Sequence, residues 1–139
     1  FFICLNFDAF AQAISKPNDS AGVYVYSLIV PSYIARKPMV FLDEKEIAQI
    51  RPEHFFILLL EPGKHSIHFK KSLKRGGVEM EFQAGQTYYL RVRWEERATV
   101  SGLDILSRES AQYDLKELKP IDDENIVDKL RAVRSLSEQ

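Results

Sequence analysis

In the stretch Val78-Glu-Met-Glu-Phe82, apolar and acidic residues alternate without a break, so Val78, Met80 and Phe82 face one way and Glu79 and Glu81 the other. The same period of two runs through most of the chain. It predicts strands in "GVYVYSLIV" (22–30), "MVFLD" (39–43), "EIAQI" (46–50), the segment after residue 63, "TYYLRVRWE" (87–95) and "TVSGLDILSR" (99–108). "HFFILLL" (54–60) is apolar on both faces, so it is expected inside a sheet. "MVFLD" and "EIAQI" read as a hairpin across Asp43, Glu44 and Lys45. In residues 87–95, Tyr88, Leu90, Val92 and Trp94 point inward, leaving Tyr89, Arg91 and Arg93 as an outward stripe.

The punctuation between these segments is turn chemistry. Pro31 and Pro38 bracket a connection, Gly76-Gly77 and Ala84-Gly85 mark turns, and Gly102 marks a bulge. Pro62-Gly63 reads as a type II turn, which requires a positive φ at Gly63. Near the end the period changes. Ala111, Leu115 and Leu118 fall at helical spacing after a capping Ser107 and before Pro120. A second helix is expected after Asp122 or Asp123, with Ile126, Val127, Leu130 and Val133 as its apolar stripe. The expected fold is all-β, an antiparallel β-sandwich of about seven to eight strands with one or two short C-terminal helices.

Composition narrows the class. With 139 residues, 45% hydrophobic and 28% charged, the chain fits one folded domain rather than a disordered one. A net charge of -1 gives no overall pull toward nucleic acid, so no nucleic-acid partner is expected. The charge is uneven, however: Lys70, Lys71, Lys74 and Arg75 form a basic tip, and Asp122, Asp123 and Glu124 an acidic cluster.

The opening "FFICLNFDAFAQA" joins an apolar run to Ala9-Phe10-Ala11, the small-x-small pattern of a signal-peptidase site. Residues 1–11 are therefore read as the rear of a secretory signal, 12–120 as the β-sandwich domain and 121–139 as a C-terminal helix and tail. Cleavage after Ala11 would leave Gln12 first and remove Cys4, the one cysteine. Lipid attachment at Cys4 asks for a small residue before it, where Ile3 stands. No later segment approaches the roughly 20 apolar residues of a membrane-spanning helix, so the mature chain is expected to carry none. The expected location is periplasmic or extracellular.

Catalytic chemistry has little to start from. "LEPGKHSIHF" (60–69) contains two histidines, but strand geometry sends His65 and His68 to opposite sides, with His68 outward, so one ion cannot bind both. The segment also lacks the earlier glycine and following helix of a phosphate loop. His54 opens an apolar strand and is expected to be partly buried and hydrogen-bonded. Glu79 and Glu81 read as a solvated face, Glu95 and Glu96 as a strand end, and no serine sits in a G-x-S-x-G elbow. No catalytic residue, metal ligand or cofactor is assigned, and no enzymatic activity is expected.

Two features point to binding. The basic tip Lys70, Lys71, Lys74 and Arg75 is a loop on a rigid scaffold, and the Tyr89/Arg91/Arg93 stripe sets planar donors beside an aromatic ring. The expected partner is a protein or an anionic envelope component. The rival reading is a small-ligand or metal-binding protein, or an enzyme, using the His65 side of the sheet.

The stretches "GVYVYSLIV", "VFLDEKEIAQIRPEHFFILLLEPGKHSIHF" and "FQAGQTYYLRVRW" resemble the bacterial envelope family known as domain of unknown function 2846. There an extended apolar strand, a "PGKH" turn and an "AGKTYY"-like turn recur in this order. The resemblance spans residues 21–118. The chain is also similar to PEGA-type surface modules, which share the strand, "PG", strand pattern on a β-sandwich. The resemblance implies a β-sandwich in the cell envelope, at times lipid-anchored, and implies no catalytic residue.

Overall fold

The alternating segments become strands β1 (Ala21–Tyr26), β2 (Met39–Leu42), β3 (Lys45–Gln49), β4 (His54–Leu60), β5 (Gly63–His68), β6 (Val78–Phe82), β7 (Thr87–Glu95) and β8 (Thr99–Ile105). Helix α1 (Arg108–Leu115) follows, then two short strands, β9 (Lys119–Pro120) and β10 (Ala132–Val133). This is a computed structural model, and it describes residues 19–29, 37–69, 76–95 and 99–136. One sheet runs β10-β4-β1-β7-β8, with β9 also on β4; the other runs β3-β2-β5-β6. Their inner faces share one core, in which Val23, Val25, Val40, Ile47, Phe56, Leu58, Ile67, Phe82 and Leu90 are wholly buried. The all-β sandwich is the expected one.

The pairing contains two features that alternation does not encode. β1 pairs with β7 in parallel, Val23 opposite Tyr88 and Val25 opposite Leu90, and β4 pairs with β9 in parallel. The first pairing arises because the chain leaves β1, builds β2 and β3 in the other sheet, returns as β4, and comes back to β1 from its second side as β7. β4 is interior as expected: Ile57 and Leu58 point to opposite faces and are 1% and 0% exposed.

β2 and β3 form the expected hairpin, and the two residues between them, Asp43 and Glu44, have φ of 50° and 71°. That is the all-positive backbone of a type I′ turn, which normally selects Asn-Gly. Pro62 and Gly63 do something other than fold a hairpin. β4 lies in one sheet and β5 in the other, so this corner carries the chain across the sandwich. Gly63 has a φ of 132°, the positive sign expected of it and one that residues with a Cβ avoid.

Gly102 lies beside the expected bulge. The β7–β8 register slips so that Arg93 faces Gly102 while Trp94 faces Val100, leaving Ser101 as the extra residue. A Cβ on Gly102 would stand 2.5 Å from the Gly76 carbonyl oxygen. The Leu103 N–H donates to that same carbonyl at 2.9 Å, which stitches the entrance of β6 to the edge of the first sheet.

At the C-terminus one helix forms and the second does not. Ser107 caps α1, its hydroxyl accepting from the Ser110 N–H at 3.2 Å. Beyond Pro120 the chain makes a single 3-10 turn over Asp123–Asn125 and then a strap. The Val127 and Asp128 N–H groups donate to the Ile47 carbonyl of β3, and β10 adds to the outer edge of β4. Those exposed edges offer backbone partners that a short isolated helix would have to supply from within. Ile126 is buried accordingly, while Leu130 is 82% exposed rather than part of an apolar stripe.

Candidate functional site

Three polar groupings could carry chemistry. The first lies at one rim of the second sheet. His65 Nδ1 is 2.6 Å from Asp43 Oδ2, and His65 Nε2 is 2.7 Å from the Glu61 carbonyl oxygen. Asp43 Oδ1 accepts from the Ser66 N–H at 2.9 Å. A carboxylate and a carbonyl only accept, so both histidine contacts hold together only when both ring nitrogens carry protons. Partial burial pulls the His65 pKa down, but the Asp43 hydrogen bond, the Glu61 carbonyl and the charges of both acids outweigh it and raise it. Burial likewise pushes the Asp43 carboxyl up, and its bonds to His65 and Ser66, with the charges of His65 and Arg131, bring it below its ordinary value. The ring also sits 6.1 Å from that of Phe82.

The second grouping lies on the outer face of the first sheet. Tyr89 stacks on Tyr24, its partner in the parallel register, at 5.4 Å. Both belong to a second apolar cluster with Tyr26, Phe55, and Ala111 and Leu115 of α1. Asp114 of the helix accepts from the Tyr26 hydroxyl at 2.7 Å and from Arg91 at 3.3 Å. Burial, then the Asp114 bond and charge, push the Tyr26 phenol well above its usual range, with Arg91 opposing. Arg93 donates to Ser101 Oγ at 3.0 Å and pairs with Asp104.

The third is a cleft of about 460 Å³ between the edge of the first sheet and the β5–β6 end of the second, lined by Phe69, Gly76, Arg93, Glu95, Val100 and Ser101 among others. Among the described residues its walls mix an aromatic ring and a valine with the basic Arg93 and the acidic Glu95.

The residues singled out from sequence fall as follows. Tyr89, Arg91 and Arg93 do share one face; Tyr89 is 8% exposed beneath α1, Arg91 is tied to the helix, and Arg93 opens onto the cleft. Lys70, Lys71, Lys74 and Arg75 lie outside the described residues, as do residues 1–11 with Cys4. Pro62 and Gly63 form the inter-sheet corner. Gly85, with a φ of 79°, sits in a turn where its N–H donates to the Ser20 carbonyl. His54 is half-buried, its Nδ1 donating to the Pro52 carbonyl at 2.8 Å. His68 corrects an expectation: it occupies the outward parity yet is 2% exposed, because Phe41 stacks on its ring at 5.6 Å and the Gly77 backbone packs against its Cβ.

The partners Asp43, Glu61, Asp104 and Asp114 were not legible beforehand. Asp43 carried the one available signal, a turn residue forced to positive φ without a glycine. Among the described residues, no three histidines, cysteines or acids converge as a metal site, and no helix is long and apolar enough to cross a membrane.

Residues 17–103 match the family described as Protein of unknown function (DUF2846), and the chain belongs to that family. An uncharacterized protein of Haemophilus influenzae is 23% identical over 111 residues, covering 77% of this chain and 64% of the relative. The chain thus spans less than two thirds of that relative's length. No solved structure matches the chain. The family match ends within β8, so α1 and the strap lie beyond it.

Proposed function

We propose that this member of the DUF2846 family is a non-enzymatic binding module of the cell envelope that docks an anionic envelope component at the cleft end of the sandwich. The observation that carries the reading is a convergence. Phe69 and Gly76, the residues that immediately flank the segment bearing Lys70, Lys71, Lys74 and Arg75, both line the cleft onto which Arg93 opens. The two residues that flank the basic segment and Arg93, remote from them in sequence, thus meet at one end of the molecule. The His65 side favours a ligand less, because both ring nitrogens are already turned toward acceptors. Export is supported by the apolar run ending in Ala9-Phe10-Ala11.

Four charges at an anionic surface contribute roughly 1 kcal/mol each, about 4 kcal/mol together, which corresponds to millimolar affinity. Such a contact weakens steeply with salt, since exposed charges are screened over about 10 Å at 0.1 M. The test is co-sedimentation with phosphatidylglycerol and with neutral vesicles at low and high salt. Wild type should pellet with anionic vesicles at low salt only, and a variant with Lys70, Lys71, Lys74 and Arg75 all changed to Gln should not. Equal sedimentation of both proteins refutes the reading. Cell fractionation should find the protein outside the cytoplasm with Gln12 first; a soluble cytoplasmic product retaining Cys4 would refute the envelope assignment.

A further inference from the structure

The Asp43–His65–Glu61 grouping joins two stretches that are separate in the chain: the β2–β3 turn, and the β4–β5 corner with the start of β5. The turn is one that its own residues resist. Aspartate tolerates the left-handed backbone, but Glu44 at a φ of 71° has no such excuse, and the hairpin normally takes a glycine there. Asp43 is held from outside by the His65 ring and the Ser66 N–H, and its own N–H donates to the Ser66 carbonyl at 2.9 Å. The corner is the place where the chain changes sheet, and His65 grips its backbone through the Glu61 carbonyl.

We propose that His65 is a proton-operated latch, whose doubly protonated ring locks the strained β2–β3 turn to the inter-sheet corner and whose deprotonation releases one of the two. A neutral imidazole has a single N–H. If it keeps Asp43 it turns a lone pair toward the Glu61 carbonyl, and if it keeps Glu61 it turns one toward a carboxylate. Either arrangement is repulsive on one side, so loss of the proton loosens the turn or the corner.

Among the described residues, the groups facing the ring are few. Asp43 and the Glu61 carboxylate favour the proton. Arg131, from the strap, stabilises the Asp43 anion and is itself paired with Asp128. β6 presents Phe82 and, opposite His65 in register, Met80, neither of them charged. The direction of the pH effect follows. His65 has a raised pKa in the fold, so its contribution is fully present below its ordinary value of 6.5 and is lost as pH rises through the higher folded value. Asp43 has a lowered one, so its contribution is present above 3.8 and is lost as pH falls through the folded value. The latch is closed between these limits and opens toward alkaline pH. In an envelope module, whose surroundings are not pH-buffered as the cytoplasm is, such an opening would tie the shape of the second sheet to external acidity.

The experiment is an NMR titration of the whole chain, reading the His65 ring resonances and hydrogen exchange of the Ser66 N–H. The ring should titrate above 6.5. Protection of Ser66, corrected for the intrinsic pH dependence of exchange, should fall about tenfold as it does so, the worth of one hydrogen bond to a charged group. In His65→Gln that step should vanish. In Asp43→Asn, which keeps the turn but removes the charge, the ring should titrate lower than in wild type. The second variant keeps the test decisive if the first does not fold. A ring titrating at or below 6.5, an unchanged titration in Asp43→Asn, or a Ser66 step that survives in His65→Gln overturns the proposal.

Discussion

On the outer face of the first sheet, Tyr24, Tyr26, Phe55 and Tyr89 lie beneath or beside helix α1, whereas on the outer face of the second Lys64, Glu79 and Glu81 stand in solvent. Both faces come from strands with the same period of two. The difference lies in what the outward residues are and in what arrives later in the chain. Four aromatic rings in adjacent strands make a surface worth covering, and α1 supplies Ala111 and Leu115 to cover it. The paired strands β5 and β6 instead set Lys64 opposite Glu81 and Ser66 opposite Glu79, a face that is stable when wet and that guards the free β6 edge against pairing with another chain. Outward parity is therefore no guarantee of exposure, and side-chain chemistry foretells which outward face will be buried.

The contrast can be broken most severely at Ala111, which is wholly buried between α1 and the aromatic row. Ala111→Glu places a carboxylate there with no cation designed to meet it, and should cost about 3 to 5 kcal/mol in urea unfolding. A loss below about 1 kcal/mol would mean that the helix is a loose cover. The second sheet provides an intermediate case in His68, the one outward histidine that is covered. His68→Ala removes the ring stacked on Phe41 and should cost about 2 kcal/mol. If it proves neutral, the outer face of the second sheet is uniformly wet. Glu79→Gln, at a solvated position on the same face, should change stability by no more than about 0.5 kcal/mol. A larger effect would show that the charges there are structural.

Much of this was legible from particular residues. The alternation in 78–82 and 87–95 assigned inward and outward residues correctly, including Tyr89, Arg91 and Arg93 on one face. Ser107 announced its cap, Gly63 its positive φ and Gly102 its neighbouring bulge. The polar groupings were not legible. The sequence sets His65 beside His68, while its partners are Asp43 in the β2–β3 turn and the Glu61 backbone carbonyl. A carbonyl leaves no mark in a sequence. Ile126, Val127, Leu130 and Val133 match helical spacing, yet the chain there forms a strap over residues 121–134.

By itself, then, the sequence determined which residues share a strand face, where the chain must turn and which local cap begins α1, because these depend on steric rules acting within a few residues. The tertiary structure decided the strand order, the parallel seam of β1 with β7, the strap in place of a second helix, and the meeting of Asp43, His65 and Glu61. Parallel and antiparallel neighbours ask for the same alternation, and a segment of marginal helical preference goes wherever unpaired backbone is on offer. Those outcomes are set by contacts between residues far apart in the chain, and such contacts exist only once the two sheets have closed on each other.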